Sequence, residues 1–256
     1  MDKTFLLGVG AQKSGTTWLY RYLSDNKNVN FGHRKEYHVW DALDIKECHK
    51  FIAPREDSLR YSLQNVEGAY ENYFSDLISK DITLTGDITP SYSGLSVSAL
   101  RVIRKKIESK GFDMKVIFLM RDPFERCWSA VRMRRRNGTG ASTELEQLRA
   151  SYKSPQFMLR TNYKHTILAL ESVFNKNQIH YGIYEELFQT QRIKELSDFL
   201  EVPFRPELAE KKFNISPKSD DEALVLAQEI REFYSGVYDF CLERFPQTKN
   251  LWCLSN

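Results

Sequence analysis

The sequence predicts an α/β fold in which a central parallel β-sheet lies between layers of helices. Two observations support this prediction. Short apolar runs typical of buried strands alternate with longer segments of helical periodicity, a pattern that favours parallel strand pairing. The first apolar run also continues directly into a glycine-containing segment, GVGAQKSGTT, at the end of a strand where such sheets bind ligands.

The length and composition are those of one globular domain covering residues 1–256. Hydrophobic residues make up 41% of the chain and charged residues 28%, which is ordinary for a globular protein. The formal net charge of +3 is too small to predict a nucleic-acid partner. No run approaches the roughly 18 apolar residues of a membrane span. The N-terminus lacks the pattern of a signal peptide, so a cytoplasmic location is expected.

Three apolar runs predict buried strands, and a weaker fourth joins them. The strong runs are FLLGVG (5–10), KVIFLM (115–120) and QIHYGIY (178–184), and the weaker one is ITLTGD (82–87). Because parallel strands end at the same edge of a sheet, the segments that follow them should lie close together and form the ligand site.

Helical patterns fill the segments between these strands. One buried face is predicted by the i, i+3, i+4, i+7 spacing of Phe124, Cys127, Trp128 and Val131. Further helices are predicted at about 156–175, 189–200 and 221–244. The arginines expected on the other faces of the first helix are Arg126, Arg132, Arg135 and Arg136.

The four cysteines do not predict a zinc site, because Cys48, Cys127, Cys241 and Cys253 lack CxxC spacing. Cys127 is expected to be a small core residue. A disulfide between Cys241 and Cys253 would close a C-terminal loop, but a reducing compartment favours free thiols.

The loop after the first strand predicts an anion site. Gly10 and Gly15 permit close approach of backbone N–H groups, and a helix beginning near Gly15 adds the positive end of its dipole. Ser14, Thr16 and Thr17 add hydroxyl groups. The alternative is a simple glycine turn between strand and helix.

The same loop departs from the nucleoside-triphosphate motif G-x-x-x-x-G-K-[ST]. Thr16 stands where that motif requires lysine, and Lys13 lies three residues earlier. The run IFLMRDP also places Arg121 before Asp122, so no strand ends in a clean apolar run followed by a magnesium-binding aspartate. A P-loop kinase is therefore the less favoured alternative.

The segment GAQKSGTTWLYRYL resembles the 5′-phosphosulfate loop of sulfotransferases that use 3′-phosphoadenosine 5′-phosphosulfate (PAPS). The resemblance implies a three-layer P-loop-like fold and a donor handled without a metal. It also implies that Lys13 meets the bridging oxygen of the phosphosulfate, where it can stabilise charge on the leaving phosphate.

A second resemblance lies in FLMRDPFERCWSAVRMRR (118–135). In the family's 3′-phosphate motif, an arginine at a strand end and a serine eight residues later hold that phosphate. The matching residues are Arg121 and Ser129, and both side chains are suitable phosphate donors. The alternative is a structural Arg121–Asp122 pair with Ser129 as an ordinary helix residue.

The segment HRKEYHVWD (33–41) resembles the K-E-x-H-F-F-D stretch of heparan-sulfate-type sulfotransferases, whose glutamate is the catalytic base. This implies Glu36 as the base, while a solvated charged loop is the alternative. His38 is the competing base, because cytosolic small-molecule sulfotransferases use histidine.

Two further segments match the family only in part. GDITPSY (86–92) is similar to E-K-[TS]-P-x-Y, but Asp87 replaces the glutamate and Ile88 the lysine; whether Lys35 substitutes for that lysine is left open. In KKFNISPK (211–218), Lys211 and Lys212 are candidates for the 3′-phosphate, with a solvated basic loop as the alternative.

The sequence thus predicts a sulfotransferase that transfers a sulfuryl group from PAPS to a hydroxyl acceptor, for which a saccharide is expected. The arginine cluster RMRRR (132–136) would attract an anionic acceptor, although it also suits a solvated helix end. Two rival functions stay open: a P-loop kinase, and a non-catalytic module that binds adenosine bisphosphate or anionic glycans.

Overall fold

A computed structural model describes residues 3–136, 138, 143–208 and 226–252. The four strands are β1 (Lys3–Gly10), β2 (Leu84–Ile88), β3 (Phe112–Met120) and β4 (Ile179–Ile183). The helices of the described residues are α1 (Thr16–Ser24), α2 (Trp40–Asp44), α3 (Ser58–Asn65), α4 (Ala69–Asp76), α5 (Val97–Glu108), α6 (Pro123–Arg136), α7 (Glu144–Ser151), α8 (Pro155–Thr161), α9 (Tyr163–Glu171), α10 (Thr190–Leu200), α11 (Ala227–Phe233), α12 (Ser235–Arg244) and α13 (Thr248–Leu251).

The four strands form one parallel sheet in the order β2-β1-β3-β4. The chain leaves β1 toward β2 on one side, and leaves β3 toward β4 on the other. The connections therefore diverge between the carboxyl ends of β1 and β3, and this divergence opens a crevice in sheets of this type. Both the glycine loop and Arg121 follow these two strands.

The sheet carries a hydrophobic core on each face. Phe5, Leu7 and Val9 of β1 point into the larger core, which also contains residues of α5, α6 and α9. Leu6 points to the opposite face, where α1 and α10 supply the second core. The side-chain alternation of β1 thus buries both faces, and the predicted three-layer α/β architecture is confirmed.

The predicted strands and the helix at 189–200 agree with the structure, whereas two predicted helices are interrupted. The run at 156–175 divides at Asn162, whose side chain accepts a hydrogen bond from the His165 backbone and caps α9. The run at 221–244 divides at Tyr234, and its first residues, 221–225, lie outside the described residues. Apolar spacing continues across both breaks, so periodicity alone does not reveal them.

Arg126 does not lie on a solvated face of α6, although the spacing separates it from the apolar face. Its side chain is fully buried, and its guanidinium group donates to the Cys127 sulfur at 3.1 Å and lies 5.1 Å from the Phe157 ring centre. The physical reason is that α8 and α11 cover a second side of α6. Arg135 and Arg136 are exposed, as expected.

The cysteines that the structure describes, Cys48, Cys127 and Cys241, are buried free thiols. Cys253 lies outside the described residues, so its pairing with Cys241 stays untested. Within the described ranges, no helix is long and apolar enough to span a membrane. The cytoplasmic location remains a prediction.

The spacing between β1 and β2 requires a glycine at position 86. A Cβ atom built at Gly86 would lie 2.1 Å from the Leu6 carbonyl oxygen, an atom of the adjacent backbone that cannot rotate away. By contrast, a Cβ atom at Gly236 of α12 meets no atom of the described residues within 4 Å.

We therefore expect Gly86→Ala to lower the free energy of unfolding by about 3 kcal/mol or more, because the strands must separate to admit the methyl group. Gly236→Ala is the matched control and should stabilise the protein by about 0.5–1 kcal/mol, since alanine favours the helix. Urea denaturation measures both changes. Equal stabilities of the two variants would contradict this account of the β1–β2 contact.

Candidate active site

A cleft of about 240 Å³ lies at the carboxyl edge of the sheet, where the connections that follow β1 and β3 diverge. Seven of the predicted site residues line it together: Lys13, Gly15, Thr16, Thr17, Glu36, Arg121 and Ser129. Ser14 and His38 do not line the cleft; they are buried beside it. Lys211 and Lys212 fall outside the described residues.

The glycine loop follows a path that side chains at two positions would block. Gly10 has a φ of 133°, and a Cβ atom there would lie 2.5 Å from the Pro90 carbonyl oxygen. Gly15 has a φ of 95°, and its Cβ atom would lie 2.5 Å from Leu187. The two glycines therefore let the loop pack closely against the segments that follow β2 and β4.

The loop leads directly into α1, whose first residue is Thr16. The first turn of a helix leaves backbone N–H groups without intrahelical partners, and the helix dipole adds partial positive charge. The first turn of α1 contains no acidic residue. Ser14, in the same loop, has a fully buried hydroxyl group without a hydrogen-bond partner in the described part of the chain. These features suit a bound anion.

Lys13 occupies the left-handed backbone region, with a φ of 72°, which is unfavourable for a residue with a side chain. Its side chain lines the cleft among other cations. Burial lowers the pKa of its ammonium group to about 8, and the charges of Arg136, Arg121 and Lys35 contribute in the same direction. A dianionic ligand would relieve this concentration of positive charge.

Arg121 follows β3 directly and is nearly buried. Its guanidinium group pairs with Glu125 at 2.9 Å and lies 4.5 Å from the ring centre of Tyr184. Its buried Nε atom has no partner within the described ranges. Asp122 instead accepts from Tyr238 at 3.0 Å, so the expected alternative of an Arg121–Asp122 pair is replaced by an Arg121–Glu125 pair.

Glu36 lies in the irregular segment between α1 and α2, which docks along the end of β2. The Lys35 carbonyl accepts from the Ile88 backbone at 3.3 Å, and the Tyr37 backbone donates to Thr89 at 3.1 Å. Tyr37 is fully buried. This docking holds Glu36 at the cleft.

The Glu36 carboxylate is surrounded by donors. Lys35 donates to it at 2.6 Å, and the Nε2 atom of His38 lies 3.4 Å from its other oxygen. Burial alone would raise the pKa of Glu36, but the hydrogen bonds and charges of His38 and Lys35 outweigh burial and lower the pKa to about 2. Glu36 is therefore ionised at neutral pH.

His38 connects Glu36 to a buried carboxylate. Its Nδ1 atom lies 2.7 Å from Asp41, which also accepts from Ser91 at 2.5 Å. Burial would lower the pKa of His38, but the hydrogen bonds to Asp41 and Glu36 raise it above its ordinary value. The imidazole therefore favours the protonated form more than an exposed histidine does.

The partial match at GDITPSY has a structural explanation. Ile88 is fully buried, and its side chain packs against Gly8 of β1. Asp87 is also buried and accepts hydrogen bonds from Thr89 at 2.6 Å and Tyr92 at 2.7 Å. Neither Ile88 nor Asp87 lines the cleft, whereas Pro90 of the same segment does.

The structure brings further residues to the cleft. Lys35, whose role the sequence left open, has its ammonium group 3.3 Å from the hydroxyl oxygen of Thr16 and 3.4 Å from that of Thr17. Sequence reasoning did not select three aromatic residues that complete the lining. Trp18, Tyr184 and Phe188 also line the cleft, and they offer flat apolar surface on which a base can stack.

The described residues contain no group of three or more His, Cys, Asp or Glu side chains placed to hold a metal ion. Fold and site together define a P-loop-like α/β protein with a cationic, glycine-framed cleft for a phosphate-bearing ligand. The comparison with protein families makes the assignment specific. The sulfotransferase domain family matches residues 2–220, so the chain belongs to the PAPS-dependent sulfotransferase family.

Solved structures of sulfotransferases share this fold. A sulfotransferase from Alicyclobacillus acidocaldarius has a TM-score of 0.64 at 19% identity, with 93% of each chain covered. Mouse sulfotransferase SULT7A1, complexed with PAP, has a TM-score of 0.55 at 15% identity, covering 98% of this chain and 88% of the mouse chain. The sulfotransferase domain of the curacin biosynthetic pathway has a TM-score of 0.52 at 19% identity, covering 87% and 81%. No curated protein sequence matches the chain significantly.

The electrostatics of Lys13 can be tested by its reactivity. An amine-selective acylating reagent should modify Lys13 with a midpoint near pH 8, because burial and the neighbouring cations lower its pKa to about 8. Arg136→Ala should raise that midpoint, since removing a nearby positive charge stabilises the ammonium form. Mass spectrometry of tryptic peptides across a pH series measures both.

Arg55→Ala is the matched control, because Arg55 is an exposed arginine outside the residues that line the cleft. Its removal should leave the Lys13 midpoint unchanged. If the midpoint of Lys13 acylation is the same in Arg136→Ala as in the protein without a substitution, the proposed charge coupling is refuted.

Proposed function

We propose that this sulfotransferase transfers the sulfuryl group of PAPS to a hydroxyl group of a saccharide, with Glu36 as the catalytic base. The observation that carries the proposal is the meeting of Lys13, Glu36, Arg121 and Ser129 in one cleft. These residues come from three separate segments of the chain, and the sulfotransferase resemblance gives each a complementary role.

In this proposal the loop and the start of α1 hold the 5′-phosphosulfate. Backbone N–H groups of the first turn and the hydroxyl groups of Thr16 and Thr17 face the cleft. Gly15 allows the close approach, and Ser14 supplies from within the loop a hydroxyl group that has no partner among the described residues. Each contact suits an anion and requires no metal ion.

The 3′-phosphate is assigned to Arg121 and Ser129. Both line the cleft, one at the end of β3 and the other on α6. Because the Nε atom of Arg121 has no partner among the described residues, this guanidinium keeps donor capacity beyond its contact with Glu125. Lys212 is proposed as a further phosphate contact on the strength of the resemblance alone.

Sulfuryl transfer then proceeds by in-line displacement. The acceptor oxygen forms a bond to sulfur while the bond between sulfur and the bridging oxygen breaks, and the electron pair of that bond goes to the departing phosphate. The ammonium group of Lys13 stabilises the charge on the bridging oxygen. Glu36 receives the acceptor's proton. The products are a sulfate ester and 3′-phosphoadenosine 5′-phosphate (PAP).

The surroundings of the two candidate bases favour Glu36 over His38. Glu36 lines the cleft and is ionised, so it can accept a proton. His38 is buried and directed toward Asp41 and Glu36. Its raised pKa favours the protonated imidazole, which cannot accept a further proton. His38 is therefore assigned to positioning Glu36.

The saccharide assignment rests on the resemblance around Glu36 and on the charge near the cleft. Arg135 and Arg136 are exposed, and Arg136 lies close enough to Lys13 to lower its pKa. Arg132 and Arg135 both pair with Glu144, and Arg134 is engaged by other residues. An anionic saccharide would be attracted by the two exposed arginines.

A kinase would require a lysine and a magnesium-binding acid where this chain has Thr16 and Arg121. Under the proposed function, activity survives chelation by EDTA, whereas strict dependence on Mg²⁺ would favour the kinase. A non-catalytic module would bind PAP but show no turnover with a broad panel of hydroxyl acceptors.

We expect PAP to bind about tenfold or more tightly than AMP, because only PAP engages Arg121 and Ser129, and a charged hydrogen bond contributes roughly 1.5–3 kcal/mol. Isothermal titration calorimetry measures both affinities. Arg121→Ala and Ser129→Ala should reduce this preference, while Arg101→Ala, which removes an exposed arginine, should preserve it. Equal affinities for PAP and AMP in the unmodified protein would overturn the 3′-phosphate assignment.

Glu36→Gln should lower turnover by about 10²–10⁴-fold while changing PAPS affinity little, because glutamine keeps the shape but cannot accept the proton. His38→Ala should have a smaller effect. Initial rates with labelled PAPS and a true acceptor measure both variants. Glu56→Gln, at an exposed glutamate, is the control. If His38→Ala is the more damaging change, the base is His38.

A further inference from the structure

Lys35 and Glu36 are consecutive residues whose side chains both line the cleft. In a regular extended strand, successive side chains point to opposite faces. Here the segment is irregular, and it is held at one end by the Lys35 carbonyl and at the other by the buried Tyr37 ring. The fold thus presents an ammonium group and a carboxylate side by side.

The Lys35 ammonium group lies between the carboxylate of Glu36 and the loop. Its Nζ atom is 2.6 Å from Glu36, 3.3 Å from Thr16 and 3.4 Å from Thr17. The side chain is 17% exposed, and that of Glu36 is 36% exposed. A short displacement of the ammonium group along the loop would therefore separate the ion pair.

This ion pair opposes the role proposed for Glu36. A carboxylate held by two donors, Lys35 and His38, is a weak base, and proton transfer is most efficient when the pKa of the base lies near the working pH. Productive chemistry requires that Glu36 lose a donor before the acceptor's proton is transferred.

We propose that Lys35 acts as a latch that PAPS operates. Its ammonium group pairs with Glu36 in the free protein and moves to the sulfuryl group when PAPS binds. This inference rests on the proposed function, because it takes the phosphosulfate to lie over Thr16 and Thr17. The sulfuryl oxygens then compete with Glu36 for the ammonium group. The movement of the Lys35 ammonium group to the sulfuryl oxygens stabilises bound PAPS and frees the Glu36 carboxylate to accept a proton.

The latch makes the base competent only after the donor has bound. PAP lacks the sulfuryl group and leaves Lys35 on Glu36, whereas PAPS releases Glu36. The order of binding follows: the acceptor binds productively only to the PAPS complex.

The test compares the protonation of Glu36 in complexes with PAP and with PAPS. Protein labelled with ¹³C at the glutamate carboxyl carbon is titrated by NMR, and the Glu36 signal is assigned by its absence in Glu36→Gln. The charged groups around this carboxylate are Lys35 and His38 in contact, with Lys13 and Arg121 elsewhere in the same cleft.

We expect no protonation of Glu36 above about pH 4 in the free protein or in the PAP complex. In the PAPS complex the midpoint should rise by about 1–3 pH units, the usual effect of removing an adjacent opposite charge. Equal midpoints in the PAP and PAPS complexes would overturn the latch. This comparison uses the unmodified protein, so it does not depend on whether a variant folds.

A variant pair supplies the second readout. Lys35→Met should abolish the difference between the PAP and PAPS midpoints, reduce PAPS affinity about tenfold and leave PAP affinity unchanged. Lys46→Met is the matched control, because Lys46 is an exposed lysine outside the cleft lining. A Lys35→Met protein that retains the PAPS-dependent midpoint shift would contradict the proposal.

The two proposals fail in different ways. If Glu36→Gln keeps full turnover, Glu36 is not the base, and the proposed function is wrong at that residue. If Glu36→Gln is inactive but the protonation midpoint of Glu36 is the same in the PAP and PAPS complexes, only the latch is wrong.

Discussion

The concentration of positive charge in a half-buried cleft is the constraint on which the rest of this structure depends. Lys13, Lys35 and Arg121 converge where the connections after β1 and β3 diverge. Burial lowers the pKa of Lys13, and the charges of the neighbouring cations contribute in the same direction. Bringing like charges together costs free energy in the absence of a ligand. An anionic ligand would recover this energy and would thereby stabilise the folded protein.

The surrounding structure holds these cations in place from several directions. Gly10 lets the loop approach Pro90, and Gly15 lets it approach Leu187. Beneath the cleft, Asp87 binds Thr89 and Tyr92 through hydrogen bonds. The sheet, two glycine contacts and a buried polar network therefore preorganise the site together.

Under the proposed function, the electrostatics around the Glu36 carboxylate serve two stages of the reaction. In the free protein Glu36 neutralises part of the positive charge, with Lys35 and His38 as its donors. A bound phosphosulfate supplies negative charge of its own, so the need for Glu36 as a counter-ion decreases. Its basicity should therefore follow the occupancy of the donor site.

The sequence by itself determined the fold class, the strands and the loop. Apolar runs bounded by polar residues report burial directly, and the spacing of Gly10, Lys13 and Gly15 is a local property of the chain. The resemblance of residues 118–135 to the family's 3′-phosphate motif also selected Arg121 and Ser129, and the structure brings both residues to the cleft. The breaks at Asn162 and Tyr234 were not readable, since the apolar periodicity continues through them.

Only the tertiary structure decided which charged residues face the ligand and which are buried. Arg126 lies on α6 like the exposed Arg135 and Arg136, yet packing by two further helices encloses it. Lys35 reaches Thr16 and Thr17 because its segment docks on β2, while Ile88 is buried against Gly8. Such placements depend on contacts between residues distant in sequence, and a local pattern carries no information about them.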